Sequence, residues 1–190
     1  REARAHIELP HGGVASRLTL WIDGEEREAA FGTRRQVREA YQDVAVVQRR
    51  DPALLNAAGP DKILLQCFPV QPLSTMKLKI GITAPVVMRA GKAYLRMPYF
   101  SERNFTISPD FRHAVWVECD PSVKASSPQL TSETPANGWA MLRGNIDESE
   151  LQDPAKGAVV IAQESMADKT WTDSLGAVTA TMIALPGPST

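Results

Sequence analysis

Apolar and polar residues alternate with a period of two along much of this chain, which predicts a mainly β protein. Residues 16–22 put Leu18, Leu20 and Ile22 on one face, with Thr19 and Trp21 on the other. Residues 76–83 repeat the pattern, with Met76, Leu78, Ile80 and Ile82 inward and Lys77 and Lys79 outward. Further strands are predicted over 2–9, 25–31, 63–70, 93–97, 112–119, 139–146, 158–162 and 178–185. His11-Gly12-Gly13, Gly59-Pro60-Asp61 and Asn137-Gly138 read as turns, and Asp23-Gly24 is a two-residue hairpin signal. Residues 121–137, rich in Ser, Thr and Pro, read as a loop with one short edge strand, and 147–156 as a polar excursion.

One segment breaks the period. Over residues 33–50, Val37, Ala40, Tyr41, Val44 and Val47 recur at helical spacing. Their stripe predicts an amphipathic helix packed on a sheet. Thr33 and Gln36 fit the capping box, in which each side chain satisfies the other's backbone donor. Asp51-Pro52 ends the helix, because the residue before proline is pushed out of the α region, and 52–57 is read as one further turn. The sum is a β-sandwich with one inserted helix. Residues 1–100 are expected to hold that sandwich. Residues 101–190 are expected to be a β-rich extension or a second small β domain.

Composition narrows the function classes. With 21 Lys and Arg against 22 Asp and Glu, the net charge is −1, which does not suit a nucleic-acid binder. No apolar run reaches the roughly 18 residues of a membrane-spanning helix. The chain opens on charged residues without Met, and it is read as a piece of a longer protein. Cys67 and Cys119, far apart in sequence, are read as buried free thiols, with a single disulfide as the alternative.

Candidate chemistry is sparse. Ser74 and Lys77 match a Ser-x-x-Lys nucleophile motif, but on an alternating strand that odd spacing sends them to opposite faces. His6, His11 and His113 are scattered, and a triad assembled from distant residues is the hydrolase reading. Asp147, Glu148, Glu150 and Asp153, around Asn145, offer oxygen ligands for calcium or a solvated loop. Asn104-Phe105-Thr106 is a glycosylation sequon. Trp21, Trp116, Trp139 and Trp171 are either core residues or an aromatic platform for sugars. Arg34, Arg35, Arg38 and Arg49 give the helix a basic outer face, either solvated or meeting an anionic partner. No metal, cofactor or catalytic residue is assigned.

Residues 7–84, taken in order, resemble the vault protein inter-alpha-trypsin (VIT) domain family. The matching stretches are Glu8-Leu9-Pro10, Val14 through Gly24, Arg35-Gln36-Val37-Arg38-Glu39-Ala40-Tyr41 and Pro52-Ala53-Leu54-Leu55. The Gly59-Pro60-Asp61 turn, Phe68-Pro69-Val70-Gln71-Pro72 and the strand from Lys77 to Thr83 complete the set. The resemblance implies an extracytoplasmic or scaffold-type β-sandwich without catalysis of its own, in bacteria part of a larger surface or membrane-anchored protein. The expected function is therefore a non-catalytic interaction or structural module whose partner is a protein or an anionic surface. The alternative is a carbohydrate-binding accessory domain of an enzyme.

Overall fold

The computed structural model describes residues 2–22, 24–30, 32, 35–36, 53–68, 70, 74–89, 92–119, 124–133, 140–161, 169–172 and 179–182. Of the expected helix over 33–50, only Arg35 and Gln36 are described, and both are helical. The rest of that helix lies outside the described residues, Arg34, Arg38 and Arg49 included.

The described chain is mainly β, and all its strand pairings are antiparallel. One sheet has the order β4 (Ala53–Gly59), β5 (Lys62–Cys67), β1 (Ala3–Glu8) and β9 (Tyr99–Arg103). A second has the order β3 (Glu25–Glu28), β2 (Val14–Ile22) and β6 (Leu78–Thr83). A third joins β11 (Ala125–Ser126), β14 (Ala158–Ile161), β8 (Lys92–Arg96) and β7 (Val87–Arg89). A fourth joins β10 (His113–Cys119), β13 (Ala140–Ile146) and β12 (Thr131–Glu133). β15 (Lys169–Thr172) and β16 (Thr179–Met182) pair with each other.

Alternation delivers two apolar clusters. Ile63, Leu65 and Cys67 of β5 meet Ile7 of β1 and Leu9, and Leu78, Ile80 and Ile82 of β6 pack against them with Phe100. Ala93 of β8, Val159 and Ile161 of β14, and Leu142 and Ile146 of β13 form the other cluster, with Met97, Leu130 and Leu151. Met97, Ile146 and Val159 are the largest fully buried side chains. Burying a side chain of this kind is worth about 1.5–3 kcal/mol.

Several expectations change. Of the segment 52–57, read as a helical turn, residues 53–57 are described, and they are strand. Leu54 and Leu55 pair with Gln66 and Leu65 of β5, so ladder pairing holds the segment extended. Residues 99–103, to which the sequence pattern assigns no element, form β9 because β1 offers them a partner edge. The loop over 121–137 contributes two short strands, β11 and β12, rather than one. The polar excursion over 147–156 contains the helix α1 (Glu148–Gln152). Thr19, expected outward, is buried.

Five residues make an unstable helix alone, so α1 needs support. Arg96 supplies it. Its guanidinium donates to the carbonyls of Leu151 (2.6 Å), Gln152 (2.7 Å) and Asp153 (2.7 Å). These are the orphan acceptors of a helix C-terminus, where a cation is also favoured by the helix dipole. The same guanidinium lies 5.0 Å from the Tyr99 ring centroid. Burial pushes the Arg96 pKa down, but not into a range where an arginine deprotonates. Gly157 makes the approach possible: a Cβ there would collide with Arg96 Nη1 and lie 2.5 Å from the Leu151 carbonyl oxygen. Arg96→Met should therefore cost about 2 kcal/mol, from lost charge-assisted bonds. Gly157→Ala should cost a similar amount, about 2 kcal/mol, by displacing the same guanidinium. Urea denaturation checks both, and a double variant that loses less than the sum of the two singles is expected because they share the Arg96 contact.

Candidate functional site

Most of the polar groups singled out in the sequence are consumed by structural contacts. His6 Nδ1 lies 3.2 Å from Glu102 Oε2, His11 Nδ1 2.7 Å from Asp61 Oδ2, and His113 Nε2 2.7 Å from Glu148 Oε2. Each imidazole thus has a carboxylate partner. The His113 ring also stacks edge-on against Phe111, centroids 5.0 Å apart, and tilted against Phe100 at 5.8 Å.

The acidic residues around Asn145 diverge toward separate partners. Asp147 pairs with Arg112, and Glu148 with both His113 and Arg103, the latter at 3.2 Å. Glu150 faces Lys156 at 3.6 Å and accepts from Gln129 at 3.1 Å. Asp153 accepts from the backbone N–H groups of Ala155 and Lys156, the chief reason its carboxyl is held below its ordinary pKa. Among the described residues no group of three or more His, Cys, Asp or Glu is arranged to hold a metal ion.

The remaining candidates also resolve. Lys77 of the Ser-x-x-Lys pattern places its ammonium 4.0 Å from the Trp21 ring centroid. Asn104 accepts from the Arg4 N–H (2.7 Å) and donates Nδ2 to the Glu2 carbonyl (3.0 Å), so the sequon nitrogen is engaged. Cys67 and Cys119 are free thiols. Burial pushes the Cys67 thiol up to about 11, with the Glu2 carboxylate adding to it. Arg35, the one described member of the expected basic face, is exposed.

A surface built from two sheets stands apart from this pattern. Leu20 pairs with Leu78, and the Trp21 N–H donates to the Lys77 carbonyl at 3.2 Å. Lys77 is therefore opposite Trp21 across the ladder, and Lys79 is its diagonal neighbour on the same face, within reach of a long side chain. The Lys79 ammonium lies 5.7 Å from the Trp21 centroid and 5.9 Å from that of Trp116, on β10. Both distances fall within cation–π range. Alternation along β10 turns Val115 and Val117 toward the apolar cluster and leaves Ala114, Trp116 and Glu118 exposed. Trp116 is 44% exposed, among the most exposed large apolar residues described. Across the sheet it is paired with Arg143, which in turn pairs with Thr131.

The arrangement sets an exposed indole beside the Lys79 ammonium, with Arg143 opposite it across the ladder. Trp21 and Trp116 stand out in the sequence, but their link through Lys79 does not. The outward direction of Trp116 was readable from Val115 and Val117. The side chains of Trp139 and Trp171 lie outside the described residues.

No family model, curated protein or solved structure matches the chain.

The turn contacts carry a pH signature. Asp61 sits at a positive φ of 51°, a conformation that Asp tolerates better than most residues. Its carboxylate takes His11 Nδ1 and the Gly12 N–H at 2.7 Å each, so the His11 hydrogen bond first and Gly12 second hold its pKa below the ordinary 3.8. A depressed carboxyl pKa stabilises the fold above the unfolded value and loses that contribution as pH falls through the native value. The stability gap between the native chain and Asp61→Asn should therefore narrow as pH falls below 3.8. Urea midpoints measured across the acid range check this. A gap that stays constant throughout would contradict it.

Proposed function

We propose that the chain is a non-catalytic interaction and structural module of the VIT type, within a larger extracytoplasmic or membrane-anchored protein. The ordered resemblance over residues 7–84 supports the family. The antiparallel sheets agree with it in class. The reading takes residues 1–100 as a β-sandwich, supported by side chains of the β1 and β2 sheets meeting in one apolar cluster. It takes residues 101–190 as a β-rich extension whose apolar cluster also takes in Ala93 and Met97. The two are interlocked rather than strung in series, because β8 pairs with β14 while β9 pairs with β1. The helix over 33–50 would brace the first sandwich through Val37, Tyr41 and Val44, with the basic face of Arg34, Arg35, Arg38 and Arg49 turned outward.

The observation that carries the interaction reading is Trp116. A large apolar ring left 44% exposed on a regular sheet face costs solubility, and Trp is enriched where proteins meet partners. The recognition surface in this reading is the Trp116 face with Lys79 and Arg143.

Site-specific photocrosslinking tests it. A photoreactive phenylalanine placed at Trp116 should form a discrete adduct in the cells that make the protein. The same group at Lys92, exposed on β8, should not. Equal adducts from both sites, or none from Trp116, would contradict the assignment of the surface.

A further inference from the structure

We propose that the Trp116 face binds an acidic polysaccharide, a polymer of uronate sugars. The inference rests on the reading of that face as the recognition surface, and it names the ligand class.

The two indoles differ in availability. The Trp21 ring carries the Lys77 ammonium at 4.0 Å, which occupies one of its faces. Over Trp116 the Lys79 ammonium stands farther off, at 5.9 Å, and the 44% exposure of Trp116 leaves ring area for a flat apolar group. The C–H face of a pyranose is such a group, and an indole on a strand is a rigid platform with little side-chain entropy to lose.

Charge selects the acidic class. Trp116, Arg143 and Thr131 form one row across β10, β13 and β12, about 4.8 Å from strand to strand. Lys79 stands beside the indole, with Arg143 opposite it across the ladder. A guanidinium takes a carboxylate through two parallel N–H bonds, and the Thr131 hydroxyl can donate to or accept from a sugar hydroxyl. Among the described residues Arg143 has only a long contact of 3.8 Å to Glu133, with the two side chains 58% and 50% exposed. An exposed pair of that length yields readily to a better acceptor.

The same face argues against a flat anionic membrane. Glu118 and Glu133, both opposite Met141, occupy the next outward row. A planar anionic surface would meet those carboxylates together with the cations. A narrow chain lying along the Trp116–Arg143–Thr131 row passes between them and the uncharged row of Ala114 and Asn145.

Titration of the 190-residue chain with oligogalacturonate, followed by tryptophan fluorescence and calorimetry, tests the inference. Binding should weaken with added salt. Trp116→Ala and Arg143→Gln should each weaken it about tenfold or more, while Trp116→Phe, which keeps a ring, should hold affinity within about threefold. A neutral galactan oligosaccharide should bind about tenfold more weakly or worse. Polyglutamate, a polyanion without sugar rings, should be indifferent to Trp116→Ala. Unchanged melting temperatures guard against misfolded variants. Absence of oligogalacturonate binding, or equal affinity in Trp116→Ala, overturns the proposal. If the Trp116 photocrosslink to a protein nevertheless persists, only the glycan assignment falls. If neither is seen, the recognition surface falls with it.

Discussion

One constraint organises the described chain: neighbouring residues on a strand face opposite ways. On β9 that rule sends Phe100 into the apolar cluster of β1, β5 and β6, and its neighbour Tyr99 into that of β8, β13 and β14. A single strand thus serves two cores. At its far end, Arg103 pairs with Glu148 at the start of α1, and Glu148 also takes His113 of β10. At its near end, Tyr99 lies under Arg96, whose guanidinium holds the carbonyl end of α1. Pairing β9 with β1 fixes the register of all these contacts.

The proposed recognition surface is downstream of that seam. Trp21 and Lys79 belong to the β2 sheet, and Trp116 and Arg143 to the β10 sheet. Lys79 reaches both indoles only because the sheets are held at a fixed separation. Exposed cation–π contacts are individually weak, of order 0.5–1 kcal/mol, so they report the placement of the sheets rather than cause it. The three His–carboxylate pairs have the same character: His6 to Glu102 joins β1 and β9, His11 to Asp61 joins two turns, and His113 to Glu148 joins β10 and α1. Titratable groups here tie elements together.

Strands with strong alternation were legible in the sequence: β2, β6, β10 and β13 appear close to their predicted bounds. Elements that depend on distant partners were not. Tyr-Phe-Ser-Glu-Arg has no clean alternation of its own and becomes β9 through β1. Glu-Ser-Glu-Leu-Gln is too short to announce a helix, and it is stabilised by Arg96, more than fifty positions away. Leu54 looked like the end of a helix, yet it lies buried on β4. At the candidate surface, the sequence alone leaves Trp116 either core or platform, although its flanking valines mark the opposite face of β10 as the buried one. Its meeting with Lys79 is a tertiary contact between residues far apart in sequence, which no local pattern encodes.

The central claim is that β9 couples the two cores into one cooperative unit. Native-state hydrogen exchange on Phe100→Ala tests it most directly. Truncating this half-buried ring should remove about 2 kcal/mol, and the slowest amides of β5 and of β14 should lose protection together, by a common factor. Loss confined to β5, with β14 protected as in the unmodified chain, would contradict the coupling.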